Sequence, residues 1–193
     1  MKAMILAAGR GERMGELTRE IPKPLIKARG KPLIEWHLEK LSTTGFKDIV
    51  INVCYLPEII KDFVGDGAKW KLNVTYSEEN PILETAGGIK NALSLLGEEP
   101  FAVINADIFS NFDYAKLQLI NLNNTSDGYL VLVKNPELNQ AGDFGLLDNN
   151  CLAVNSDILH TFSGIAVYHP RFFNELELGI KIQLLPLLKS AIS

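Results

Sequence analysis

Short apolar runs of strand length alternate with segments whose apolar residues recur at helical spacing, and this alternation constrains the fold more than any other feature of the chain. The runs occupy residues 3–8, 48–54, 72–76 and 101–105, with a fifth at 129–134. Between them Ile34, Leu38 and Leu41 form one stripe, Ile59, Ile60, Phe63 and Val64 a second, and Ile89, Ala92, Leu93 and Leu96 a third. Each stripe stops at a glycine, Gly45, Gly65 or Gly97, where a helix is expected to end. Strand and helix in alternation predict βαβ units and an α/β fold with a largely parallel sheet. Beyond Asn135 the pattern changes. Residues 144–154 and 160–168 read as irregular or antiparallel strands, which predicts a small added lobe.

Open sheets of this kind bind ligands beyond the carboxyl ends of their strands. Residues 9–23, 78–88 and 105–108 are therefore the segments in which to seek chemistry. The 193 residues suit a single domain, and 47% hydrophobic with 22% charged residues is globular composition. A formal charge of −4 without a basic run argues against nucleic acid or an anionic membrane as the main partner. Cys54 and Cys151 stand far apart with no metal-ligand spacing around either, which fits a reducing cytoplasm. The apolar start of the chain is too short for a signal peptide or a membrane span, and Arg10, Glu12 and Arg13 follow it at once.

The first strand runs into Gly9-Arg10-Gly11-Glu12-Arg13-Met14-Gly15, followed by Pro22-Lys23-Pro24. Glycines after a first strand let backbone N–H groups approach a phosphate, and Arg13 and Lys23 add positive charge there. A P-loop would need GxxxxGK[ST], which is missing. A dinucleotide fingerprint would need a third glycine where Met14 stands and an acid ending the second strand. An ordinary turn with solvated charges is the remaining alternative, and phosphate binding is the stronger reading. After the fourth strand comes Asp107, an acid where Mg²⁺ and phosphate oxygens could meet. Taken alone it would pass for a turn cap.

Leu6-Ala7-Ala8-Gly9-Arg10-Gly11-Glu12-Arg13-Met14, with Leu17-Thr18 and Pro22-Lys23-Pro24-Leu25, resembles the motif of the sugar-1-phosphate nucleotidyltransferases. The resemblance implies a Rossmann-like sheet, a nucleoside triphosphate and a sugar 1-phosphate as substrates, and pyrophosphate as leaving group. It implies that Ala8, Gly9, Gly11 and Glu12 cradle the nucleotide. Arg13 then neutralises pyrophosphate, Lys23 holds the phosphates being joined, and Asp107 binds Mg²⁺. Thr85, Ala86 and Gly87 match the segment that binds the base, with Ser77 and Glu78 where many members carry a glutamine. Asn105 would face the sugar phosphate, and Asp143, Gly145 and Ser163 match segments that touch the sugar. Gly15-Glu16 replaces a common Arg-Pro, and Ala106 a common glycine.

The motifs at 32–37, 83–88, 142–145 and 162–165 are most similar to the N-acetylmuramate-1-phosphate uridylyltransferases of cell-wall recycling, which favours UTP. Mannose-1-phosphate guanylyltransferases share much of the pattern, so that activity, with GTP, or a glucose-1-phosphate uridylyl- or thymidylyltransferase is the alternative. Monomer or homodimer is expected. Transfer between phosphates needs alignment and charge neutralisation rather than a triad. His37, His160 and His169 are accordingly expected to be structural or at the surface. The resemblance also implies about 25–30 further C-terminal residues bearing a second metal-binding aspartate, and no Asp or Glu follows Glu177 in this sequence. A nucleotide-sugar-binding module without catalysis is the rival reading from another class. A nicotinamide oxidoreductase is weaker still.

Overall fold

The computed structural model describes residues 1–122 and 126–192, apart from the side chains of Glu12 and Arg13. Its strands are β1 (Ala3–Leu6), β2 (Lys27–Ala28), β3 (Lys31–Pro32), β4 (Asp48–Val53), β5 (Asn73–Glu78), β6 (Phe101–Asn105), β7 (Gly128–Val133), β8 (Gly145–Leu146), β9 (Leu152–Ala153) and β10 (Thr161–Tyr168). The helices are α1 (Leu33–Thr43), α2 (Pro57–Val64), α3 (Glu84–Leu96) and α4 (Leu184–Ile192).

Six strands form one sheet in the order β5-β4-β1-β6-β10-β7. The four strands from β5 to β6 run parallel, while β10 runs antiparallel to both β6 and β7. Parallel strands must be covered on both faces, and the sequence supplies apolar side chains for each. Ala3 and Ile5 of β1 point into one core with Ile34, Leu38 and Leu41 of α1 and Ile60 and Val64 of α2. Met4 points the other way, onto Ile89, Ala92 and Leu96 of α3 and Leu184 and Leu188 of α4. The helical stripes thus fall on these helices, except that Ile59 is exposed. The helices α2 and α3 end at Gly65 and Gly97, both with the positive φ that a glycine accepts most readily.

Residues 161–168 depart from expectation. They belong to the main sheet rather than to a lobe, because Ile165, Ala166, Val167 and Tyr168 are all buried and need cover on two faces. The added lobe reduces to the β8–β9 hairpin and one bridge, Phe144 to His160. A bulge between Phe162 and Ala166 interrupts β10. At that bulge Gly164 lies so close to Asn105 that a Cβ would stand 2.7 Å from its Nδ2. The chain sequence β1, β4, β5 builds outward on one side, and β6 then returns to the other side of β1. This reversal opens a crevice at the carboxyl ends of the strands.

Candidate active site

A cavity of about 180 Å³ occupies that crevice. Ala7, Ala8, Gly9 and Lys23 wall it after β1, Asn52 at the end of β4, Glu79, Ile82 and Thr85 after β5, and Asn105 and Asp107 at the end of β6. All three segments singled out in the sequence therefore meet in one place.

The glycine loop folds back as two short 3-10 turns within Glu12–Thr18, separated by a kink at Gly15 (φ 56°, ψ −126°) and anchored by the Thr18 hydroxyl, which donates to Gly11 O (3.1 Å) and Gly15 O (3.2 Å). Gly11 has φ 67°, and a Cβ on it would lie 2.9 Å from Thr18 and 3.3 Å from Lys23. The loop can fold down on Lys23 only with glycine there. Gly9 faces open space, with no atom within 4 Å of a Cβ built on it, which leaves its backbone approachable. The turn Lys23–Leu25, stiffened by buried Pro24, aims the Lys23 ammonium at the Asp107 carboxylate, with which it forms an ion pair. Lys23, expected to supply positive charge, and Asp107, expected to bind a cation, are 84 positions apart in sequence and in contact in the fold. The side chains of Glu12 and Arg13 lie outside the described residues, so their assigned roles stay expectations.

Ala106 extends the β1–β6 ladder by one bond, its N–H donating to Leu6 O (3.0 Å), and so delivers Asp107 just past the sheet edge. Beneath this turn sits His37, 2% exposed, with Nδ1 2.8 Å from the Tyr114 hydroxyl. Burial lowers its pKa to about 4, with the Lys40 charge acting in the same direction, so the imidazole is neutral near pH 7. It is a packing residue, as expected.

The opposite wall differs from the sequence reading. Strand alternation turns Ser77 and Glu79 inward and Glu78 outward. Ser77 Oγ accepts from Asn91 Nδ2 (3.2 Å), and Glu78 pairs with Lys61 (2.6 Å). Glu79, which the sequence reading passed over, lines the cavity and accepts from Asn52 Nδ2 (2.6 Å) and Leu83 N (2.8 Å). Its burial raises the carboxyl pKa above the ordinary value. Thr85 lines the cavity, but Ala86 and Gly87 are placed otherwise. Their N–H groups donate to Ile182 O at 3.0 and 3.2 Å, and a Cβ on Gly87 would lie 2.3 Å from Ile180 O. Residues 180–182 cover the amides assigned to the base.

The residues assigned to the sugar also divide. Asn105 lines the cavity, whereas Asp143, Gly145 and Ser163 are engaged elsewhere. Asp143 Oδ2 accepts from Phe162 N (2.8 Å) and Asn139 Nδ2 (3.2 Å), tying the lobe to β10. A Cβ on Gly145 would lie 2.3 Å from Ser156, and Ser163 Oγ accepts from Ile165 N (3.3 Å) within the bulge. A second cavity of about 260 Å³ adjoins the first across Glu84, Thr85 and Asn105 and is lined further by Phe162, Leu184 and Leu188. The sequence analysis did not single out α4, whose Leu184 and Leu188 line this cavity.

A mostly parallel sheet whose glycine loop, cationic side chain and strand-end acid converge on one crevice defines an α/β protein built to handle a nucleotide's phosphates. The chain belongs to the nucleotidyl transferase family, which it matches over residues 2–162. It is 47% identical over 194 residues to N-acetylmuramate alpha-1-phosphate uridylyltransferase of Neisseria meningitidis serogroup B, covering 98% of this chain and 84% of that protein. It is 34% identical to mannose-1-phosphate guanyltransferase of Gibberella zeae over 74% of this chain, which spans 40% of that longer relative. Among solved structures, HddC from Yersinia pseudotuberculosis complexed with GMP-PN is similar at 25% identity and a TM-score of 0.78, with 96% of this chain and 85% of that one covered.

Proposed function

We propose that this chain transfers a uridylyl group from UTP to N-acetylmuramate 1-phosphate and releases pyrophosphate. The observation that carries the reading is the convergence of the glycine loop, Lys23, Asp107 and Asn105 on one cavity, in a chain 47% identical to a uridylyltransferase over nearly its whole length. An oxygen of the sugar phosphate attacks the α-phosphorus. One P–O bond forms, the bond to the β-phosphate breaks, and the electron pair leaves with pyrophosphate, so no protein base is required. This agrees with a site whose nearest imidazole, His37, is buried and neutral.

In this proposal the backbone of Ala8, Gly9 and Gly11 lies along the phosphates, Lys23 neutralises the charge that gathers during transfer, and Arg13 neutralises the leaving pyrophosphate. Asn105 faces the sugar phosphate and Thr85 the base. Among the described residues no group of three His, Cys, Asp or Glu side chains could hold a metal unaided. Asp107 fits instead the role of a single carboxylate meeting an ion that arrives with the phosphates, as Mg²⁺ commonly does. Bound there, Mg²⁺ would supply further charge neutralisation. The same proposal places the chain in the cytoplasm, where Cys54 and Cys151 persist as free thiols.

The test is pyrophosphate release with Mg²⁺ from UTP, GTP or dTTP against a panel of sugar 1-phosphates. UTP with N-acetylmuramate 1-phosphate should give the highest rate. Preference for GTP with mannose 1-phosphate would move the substrates to the second reading, which the guanyltransferase relative motivates. Nucleotide binding without release from any pair would leave a binding module and overturn the proposal.

A further inference from the structure

We infer that Asn52 and Glu79 form a positioning clamp that fixes the two walls of the nucleotide cavity relative to each other. The inference rests on the proposed reading that the nucleotide lies between those walls. Three hydrogen bonds run in series across the cavity floor. Ala7 N donates to Asn52 Oδ1 (2.8 Å), Asn52 Nδ2 donates to Glu79 Oε1 (2.6 Å), and Leu83 N donates to Glu79 Oε2 (2.8 Å). Ala7 stands two residues before Gly9 on the phosphate wall, and Leu83 two residues before Thr85 on the other. The series therefore spans from the end of β1, through the end of β4, to the start of α3.

Neither side chain is at the surface. Asn52 is 3% exposed and Glu79 4%. Gly88 of α3 packs against both, since a Cβ there would lie 2.4 Å from Glu79 Oε1 and 3.0 Å from Asn52 Nδ2. A buried carboxylate with no cationic partner among the described residues is an expensive way to fill space, and an apolar pair would serve packing better. The hydrogen-bond directions explain why it is present. Both ends of the series are backbone donors, so each side chain must turn an acceptor outward and the two must share one donor between them. An amide with a carboxylate meets that requirement. Two amides place N–H against N–H in the middle, and two carboxylates place oxygen against oxygen.

The requirement has a second solution, the reversed pair. An acid at position 52 accepts from Ala7 N, and an amide at position 79 donates to that acid while its oxygen accepts from Leu83 N. Glu79→Gln alone should break the series even though it removes a buried charge, and Asn52→Asp combined with Glu79→Gln should restore it. Three proteins, the parent, the single variant and the double variant, are compared by pyrophosphate-release kinetics and by amide hydrogen exchange without nucleotide. In the single variant the nucleotide KM should rise about tenfold or more while kcat stays within about threefold, because Lys23 and Asp107 are untouched. The double variant should recover the parent KM to within about threefold. Exchange at Ala7 N and Leu83 N should accelerate in the single variant and slow again in the double.

An unchanged KM in the single variant, or a double variant no better than the single, overturns the clamp. If the parent turns over no nucleotide, the proposed function fails by itself, and exchange still decides the clamp. Protection lost in the single and regained in the double supports it, and equal protection in all three removes it.

Discussion

Replacing Lys23 by alanine separates catalysis from folding at this site. Lys23 and Asp107 are paired, yet their side chains keep 25% and 37% of their exposure, so water screens much of the attraction. Such a pair contributes about 0.2–1 kcal/mol to stability, and its loss in a chain of 193 residues should lower Tm by no more than about 2–4 °C. The effect on the rate is set differently. The ammonium is held in place by the Lys23–Leu25 turn and the Gly11 backbone above it, so it is organised before charge gathers on the transferred phosphate. Removing one preorganised donor from a site of this kind costs about 2.7–4 kcal/mol of barrier, or roughly 10²–10³-fold in kcat. Pyrophosphate release at saturating substrates, beside a thermal melt, measures both. A rate within about tenfold of the parent, or a Tm loss near 10 °C, would refute the assignment of Lys23 to the transferred phosphate.

Three further outcomes follow from the geometry. Asp143→Ala strips the acceptor from Phe162 N and Asn139, so it should cost roughly 1–3 kcal/mol in denaturant melts while leaving the KM for sugar phosphate within about twofold; a KM raised tenfold would return Asp143 to the sugar. Gly87→Ala drives a methyl into Ile180 O at 2.3 Å, and forcing residues 180–182 away should cost about 1–3 kcal/mol, read as a lower Tm; an unchanged Tm would mean this segment yields freely. His37 titrates at about 4 in the fold against 6.5 in the unfolded chain, so protons favour unfolding. Its stabilising effect is complete above pH 6.5 and should fall by roughly 3 kcal/mol as pH drops to 4, a slope that His37→Gln should flatten in urea melts taken across that range; parallel slopes in parent and variant would contradict the burial.

What could be read in advance tracks how local each determinant is. The parallel core strands were legible because Ala3, Met4 and Ile5, or Phe101 to Ile104, are apolar on both faces. The place of Lys23 and Asp107 at the crevice was legible because each lies beside a local marker, a Pro-Lys-Pro turn in one case and the end of an apolar strand in the other. The Asn52–Glu79 pair was not, because two of its three bonds join residues 27 and 45 positions apart and neither side chain has a local motif. Alternation along β5 did carry a usable signal, since it turns Ser77 and Glu79 to the same face. The base role of Ala86 and Gly87 rests on the resemblance alone, and only tertiary packing reveals that Ile182 O accepts from both of their amides. Asp143 was similarly ambiguous. A carboxylate that ties a lobe to a strand looks in sequence like one that binds a hydroxyl.

Whether the crevice transfers a nucleotidyl group is tested directly by incubating UTP labelled at the α-phosphorus with N-acetylmuramate 1-phosphate and Mg²⁺. The label should pass into the nucleotide sugar and leave pyrophosphate unlabelled, and the transfer should collapse in Lys23→Ala. Label recovered only as UMP, or retained in UTP while the parent protein binds it, would contradict the account.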